Sequence, residues 1–95
     1  MKITALSIVA PGQKPWKTGD KLLAFFDVEY SGIRIRECLL VRASRGFLLA
    51  QAPRGVRPEE GRRLVDIVDP EIRKAMAASA HSVFVAMGGV EDVAA

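Results

Sequence analysis

The chain is organised around residues 33–70, which read IRIRECLLVRASRGFLLAQAPRGVRPEEGRRLVDIVDP. Their apolar runs and turn residues predict two strands, an arginine-rich connection, a third short strand and the start of a helix. Residues 42–63 carry six arginines against two glutamates, a net charge of +4 in a chain whose total is +3. This concentrated basic segment is the main clue to function, because it favours acidic partners.

The length and composition predict one globular domain over residues 1–95. With 49% hydrophobic and 26% charged residues, the chain has the composition of a folded protein. Its one cysteine excludes an intrachain disulfide. Residues 1–10 are short for a signal peptide, and no apolar run approaches the ~20 residues of a membrane span. We therefore expect a cytoplasmic protein with no membrane partner.

Alternating apolar residues and intervening turns predict about five short antiparallel strands joined as hairpins. Ser31-Gly32 suits a two-residue turn, and the last two strands are predicted to form a hairpin with a long, basic tip. The predicted strands cover residues 3–9, 21–30, 33–43, 47–52 and 64–68. In the third strand, alternation places one apolar set on a common face that Glu37 interrupts: Ile33, Ile35, Leu39, Val41 and Ala43.

A helix is predicted to follow the last strand. Asp69 suits the N-cap, Pro70 suits the first helical position, and Gly88-Gly89 suits the end. Helical spacing predicts an apolar stripe that faces the sheet, made of Ile72, Met76, Ser79 or Ala80, Val83 and Met87. The residues predicted to lie largely off the stripe are Arg73, Lys74, Ala77 and His81.

The end of this helix has two interpretations. The β-branched residues of 82–85 also allow a short strand after a shorter helix, so residues 82–87 stay open between helix and strand. Residues 90–95 are predicted to form a loose tail. The predicted fold class is α+β, a small antiparallel sheet with one C-terminal helix packed on it.

The residue types needed for catalysis or metal binding do not form a recognisable pattern. Cys38 is predicted in the middle of a strand and His81 late in a helix, which does not suggest a nucleophile and its base. Asp66 and Asp69 are predicted to flank a strand end and a helix cap, where structural roles are typical. With no Cys/His ligand spacing and no phosphate-binding glycine motif, we expect no enzymatic activity, cofactor, metal or small-molecule substrate.

Basic residues are the candidate functional residues. Guanidinium groups bind phosphate through two parallel hydrogen bonds and stay charged at any relevant pH. If the predicted basic hairpin tip and the helix pack side by side, their charges converge on one surface, although a merely solvated basic loop has the same composition. The candidate nucleic-acid-binding residues are Arg54, Arg57, Arg62, Arg63, Arg73 and Lys74.

The loop before the second strand contains a tryptophan between two lysines. Lys14, Trp16 and Lys17 lie in a polar segment with two prolines and two glycines. One interpretation is a hairpin tip with the indole tucked onto the sheet. The other is a stacking contact with a nucleic-acid base.

Three blocks of the chain have counterparts in one known family. Residues 21–25 read KLLAF, residues 46–54 read GFLLAQAPR and residues 65–70 read VDIVDP. They resemble KLKAF, GLFVAMPSR and RDIAHP of the stage V sporulation protein G (SpoVG) family. Glu37 keeps the acidic position of the family's FVVxDI block. Order and spacing are similar through residues 3–80.

The resemblance implies a fold and a function. Members of that family are small homodimeric regulators that bind nucleic acid without enzymatic activity, and they combine a small antiparallel sheet, through which they dimerise, with a C-terminal helix. The family's basic positions correspond to Arg54 by direct match and to Arg73 and Lys74 by approximate helix position. The chain departs from the family where Val65 replaces an arginine and Asp69 replaces a histidine.

These expectations leave two classes of function. The first is a regulator that binds DNA or RNA as a homodimer. The alternative is a protein–protein interaction module with no nucleic-acid ligand, for which the apolar strand of residues 47–52 offers an edge.

Overall fold

A computed structural model of the protein describes residues 1–10, 14–55 and 65–91. These residues form four strands and one helix, and the sheet has the order β1-β2-β3-β4 with every neighbouring pair antiparallel. The predicted α+β class with a C-terminal helix is confirmed. The elements are β1 (Lys2–Ile8), β2 (Lys21–Tyr30), β3 (Ile33–Arg42), β4 (Leu48–Gln51) and α1 (Pro70–Ala86).

The fifth predicted strand is wrong over the residues that the structure describes. Residues 65–69 form no strand, and Val68 is 85% exposed. Leu64, the first residue of the predicted strand, lies outside the described residues. Residues 66–68 and β4 line a cavity of about 510 Å³. An apolar β-branched run becomes a strand only when another strand supplies its backbone partners, so its composition alone misled the prediction.

A β-bulge in β3 corrects the predicted face of that strand. Ile35 and Cys38 are three positions apart in β3, but the two β2 residues that pair with them are only two positions apart. Strand β3 therefore contains one extra residue at this point. Glu37 takes up the extra residue with a φ of 62°, and its backbone N–H donates to Asp27 Oδ1 at 3.0 Å. Because of this extra residue, each β3 side chain after the bulge lies on the face opposite to the one that simple alternation predicts.

The bulge decides which β3 side chains meet the helix. Ile35 packs with Cys38 and Leu40 on the helix side, whereas the sequence placed it with Leu39 and Val41. Leu39 and Val41 are fully buried outside that cluster, so the opposite face of the sheet is also covered. The buried residues of the helix-side core are Leu23, Ala24, Phe26, Val28, Cys38, Leu40, Ala50, Met76, Ala77, Ala80 and Phe84.

The N-terminus of α1 is capped as predicted. Asp69 is the N-cap, its Oδ1 accepts from the Glu71 N–H at 2.9 Å, and Pro70 is the first helical residue. The acidic Glu71 lies in the first turn, where it complements the positive end of the helix dipole.

The C-terminus of α1 resolves the open question over residues 82–87. The helix continues to Ala86, so the alternative strand is wrong. Gly88 has a φ of +86°, and the Gly89 N–H donates to the Phe84 carbonyl at 2.8 Å. This is a Schellman end, and a Cβ on Gly89 would lie 2.6 Å from the Phe84 ring.

The apolar stripe of α1 is rotated from its predicted position. Ala77, which was predicted off the stripe, is 4% exposed, and Met87, which was predicted on it, is 53% exposed. Phe84, one position after the predicted Val83, is buried, so the buried residues of α1 are Met76, Ala77, Ala80 and Phe84. No helix among the described ranges is both long and apolar enough to cross a membrane.

The start of the predicted loose tail is held to the domain. Arg42 donates to both carboxylate oxygens of Glu91, at 2.7 and 2.8 Å, and His81 Nε2 lies 3.3 Å from Glu91 Oε2. The hydrogen bond from Arg42 lowers the pKa of the Glu91 carboxyl. The tail prediction is therefore wrong at Glu91, and residues 92–95 lie outside the described residues.

Candidate nucleic-acid interface

Three of the six predicted binding residues lie in the described part of the chain. Arg54 follows β4, and Arg73 and Lys74 lie on the first turn of α1. The other three, Arg57, Arg62 and Arg63, lie outside the described residues. The geometry of the candidate interface is therefore built on the first three and on what surrounds them.

Arg54 lies against the tryptophan of the first loop. Its guanidinium carbon is 4.6 Å from the centroid of the Trp16 ring. Such a cation–π contact is worth about 0.5–1 kcal/mol at an exposed site. Arg54 is exposed and Trp16 is half-buried, so the pair lies at the surface. The sequence marked Arg54 and Trp16 separately, and no local pattern could show that they meet.

The contact joins two segments that are far apart in the sequence. Trp16 comes five residues before Lys21, the first residue of β2, and Arg54 comes three residues after Gln51, the last residue of β4. Strand β3 lies between β2 and β4, so the contact links segments that leave two non-adjacent strands of the sheet.

The loop is fixed by hydrogen bonds within itself and to the next turn. The Trp16 N–H donates to the Asp20 carbonyl at 2.9 Å, and the Gly19 N–H donates to the Trp16 carbonyl at 2.8 Å. The Asp20 carboxylate accepts from the Ser44 N–H at 2.9 Å. Gly19 has a φ of +87°, and a Cβ there would lie 3.0 Å from the Ser44 Cβ. The backbone on either side of Trp16 is therefore held in place by these hydrogen bonds.

The described part of the loop is positively charged. Lys14 and Lys17 are exposed, and they precede and follow Trp16 in the sequence. Among the described residues, no carboxylate lies within ion-pair distance of Lys14, Lys17 or Arg54. We call Lys14, Trp16, Lys17 and Arg54 the Trp16 platform. It combines one aromatic ring, with Arg54 against it, and two exposed lysines of the same loop.

The helix contributes a weaker positive group. Arg73 is exposed and lines the cavities of about 510 and 370 Å³ beside β4. Lys74 Nζ lies 3.7 Å from Glu71 Oε1, in an ion pair whose side chains are 76% and 81% exposed. An exposed pair of this kind is worth little but partly neutralises Lys74. Asp66 lines the larger cavity with Arg73, so acidic groups dilute the positive charge here.

Strand β4 connects the platform with Arg73. Gln51 and Ala52 line the same cavity as Arg73, and Arg54 comes two residues after Ala52. The predicted convergence of Arg54, Arg73 and Lys74 on one surface stays a prediction, and Lys74 pairs with Glu71 of its own helix.

The remaining reactive side chains are engaged elsewhere. Cys38 is fully buried, and burial together with the charges of Asp27 and Glu37 raises its pKa to about 11. The thiolate that a cysteine nucleophile requires is thus strongly disfavoured at neutral pH. His81 faces Glu91 and stacks on Phe84 at 5.9 Å between ring centroids. Within ranges 1–10, 14–55 and 65–91, no group of three or more His, Cys, Asp or Glu side chains is placed to hold a metal ion.

Comparison of the chain with protein-family models, with curated proteins and with solved structures found no match. The resemblance to the SpoVG family therefore remains a prediction. The functional argument depends on the charges and contacts of the chain itself.

Proposed function

We propose that this protein is a non-enzymatic, cytoplasmic regulator that binds DNA or RNA through the Trp16 platform and the neighbouring Arg73. The observation that carries the proposal is the contact of the exposed Arg54 with Trp16 in a loop flanked by two lysines. Cations bind phosphates, and an aromatic ring among them matches the alternation of phosphates and bases in a nucleic acid. The proposal includes a homodimer formed through the sheet, which the family resemblance supports.

The residues of the proposed site have distinct roles. Arg54 contacts phosphate or base beside Trp16, and Arg73 contacts the backbone further along β4. Lys74 supplies a point charge when its exposed pair with Glu71 opens. Arg57, Arg62 and Arg63 belong to the same proposed site by their sequence position between β4 and α1.

A protein-interaction module is the second candidate function. Phe47 is 54% exposed at the start of β4, and it lines the cavity of about 370 Å³ with Arg73 and Lys74. An exposed aromatic residue beside a short edge strand is a feature of protein-binding surfaces. Under this alternative, the arginines only keep the surface hydrated.

A charge-matched pair of variants tests the proposal. Arg54→Ala/Arg73→Ala removes two cations from the proposed site, and Lys2→Ala/Arg34→Ala removes two cations outside it near the β2–β3 turn, where Arg34 pairs with Glu29 at 3.0 Å. Fluorescence anisotropy with single- and double-stranded DNA and RNA at low salt measures affinity. We expect the first variant to bind at least tenfold more weakly than wild type and the affinity of the second to fall less than threefold. A tenfold change in affinity corresponds to about 1.4 kcal/mol of binding free energy.

Two outcomes of this titration would contradict the proposed site. Equal losses in the two variants would mean that only net charge matters. Absence of binding by the wild-type protein at low salt would favour the interaction module. Circular dichroism of each variant verifies that the fold is retained.

A further inference from the structure

We propose that the Trp16 platform is a base-stacking site that selects single-stranded nucleic acid over duplex. This inference rests on the proposed function and specifies its ligand. The pair at its centre is Arg54 and Trp16, with the guanidinium carbon 4.6 Å from the ring centroid. A guanidinium is planar and weakly hydrated, so its outer side can carry a second flat group.

The exposure of the two side chains leaves room for that second group. Arg54 is exposed and Trp16 is only half-buried, although they contact each other. A base can therefore extend the stack on the outer side of Arg54 or on the open part of the indole. Stacking of this kind is tolerant of sequence, because every base has a π-face.

The lysines beside Trp16 can bind the phosphates that precede and follow a stacked base in a nucleic-acid strand. Lys14 and Lys17 flank Trp16 and are exposed, so each can meet a phosphate next to the stacked base. The only acidic residue of the described loop, Asp20, is half-buried, and its carboxylate accepts from the Ser44 N–H at 2.9 Å. This carboxylate therefore has a hydrogen-bond partner outside the loop, while both lysines of the loop are exposed.

Preorganisation makes the stack effective. Hydrogen bonds of 2.9 and 2.8 Å from the Trp16 and Gly19 N–H groups close the loop, and Gly19 packs against Ser44. Little conformational freedom of the loop backbone is then lost when a ligand binds.

Accessible bases distinguish single strands from duplexes. Bases in a duplex are stacked on each other and present only their edges, whereas those of a single strand can be splayed onto a side chain. A duplex can still bind the lysines and arginines through phosphates, but it cannot use the stack. The ligand is therefore a single-stranded oligonucleotide. Stacking involves the base and not the sugar, so it does not distinguish DNA from RNA.

Intrinsic fluorescence provides a direct test, because Trp16 is the only tryptophan of the chain. Wild-type protein is titrated with oligo(dT), oligo(U) and a mixed-sequence duplex of equal length, and Trp16 emission is recorded together with anisotropy of the labelled strand. We expect both single strands to quench Trp16 and to bind at least tenfold more tightly than the duplex. Stacking on one base is worth about that factor or more.

Variants that leave the charge unchanged separate stacking from electrostatics. Trp16→Leu is expected to lower the affinity for single strands about tenfold with little change for the duplex, and Trp16→Phe to restore much of the loss. Arg54→Lys keeps the charge but not the planar group, and it is expected to weaken single-strand binding selectively. Because Arg54 is exposed, this variant tests the stack even if Trp16→Leu is poorly folded.

The outcomes distinguish the two proposals. If single strands and duplex bind equally and Trp16 emission stays constant, the stacking platform is wrong while nucleic-acid binding stands. Unchanged affinities of Arg54→Lys and Trp16→Leu for single strands would also overturn it. If no oligonucleotide binds at low salt, the proposed function and this inference fail together.

Discussion

At the scale of single residues, Glu37 holds a backbone conformation that its type does not favour. Its φ of 62° lies in the left-handed region, which costs a residue with a Cβ about 1 kcal/mol or more. The hydrogen bond from its N–H to Asp27 Oδ1 at 3.0 Å offsets part of this cost. A charge inside an apolar alternation was visible in the sequence. Alternation alone could not distinguish a bulge from a misplaced charge, because the bulge depends on the pairing with β2.

Replacing Glu37 by glycine tests this account of the bulge. Glycine adopts positive φ without steric cost, so Glu37→Gly is expected to raise the free energy of unfolding by about 0.5–1 kcal/mol, measured by urea denaturation. Arg36→Gly is the matched control and is expected to lower stability, because the φ of Arg36 is not positive. Equal destabilisation by the two glycines would contradict the account.

At the scale of secondary structure elements, the strands and helix could be predicted well where their signals are local. The bounds of β2 were predicted correctly, as were the Asp69 cap and the glycine end of α1. Residues 65–68 were mispredicted because strand formation depends on a partner edge that composition does not reveal. The attachment of Glu91 was missed for the same reason, since its partner Arg42 lies in a distant strand.

The attachment of Glu91 predicts a pH-dependent contribution to stability. The folded protein lowers the pKa of Glu91 below its ordinary value of 4.5. The ionised Glu91 carboxylate therefore stabilises the folded protein above that pH. It is lost as the pH falls through the lowered pKa. Glu91→Gln is expected to lower the free energy of unfolding at pH 7 by about 1–3 kcal/mol, because a hydrogen-bonded charge at Arg42 loses its partner.

Denaturation curves at several pH values check this expectation. The difference between wild type and Glu91→Gln should shrink as the pH falls below about 4.5. Glu29→Gln is the control, since it removes an ion pair whose side chains are 49% and 41% exposed and is expected to have a smaller effect. A difference between wild type and Glu91→Gln that is constant from pH 7 to strongly acidic pH would contradict the prediction.

At the scale of the whole molecule, the proposed function depends on where the fold places the basic residues of the sequence. The sequence was sufficient to identify the arginines, because net charge along a chain can be read directly. It could not show that Arg54 meets Trp16, since the contact joins segments that are 38 positions apart in the sequence and precede and follow different strands. The pair of Lys74 with Glu71 could be read from their i,i+3 spacing on the predicted helix, whereas the cavity that Arg73 shares with Asp66 depends on tertiary packing.

The central claim is that the basic surface binds the phosphates of a nucleic acid. The most direct test is the affinity of wild-type protein for a single-stranded oligonucleotide measured across a range of salt concentrations. Release of counterions from four to six phosphates predicts a slope of log K against log salt of about −3 to −4 on single strands. A slope near zero, or no binding at low salt, would contradict the claim and leave the protein-interaction module as the better account.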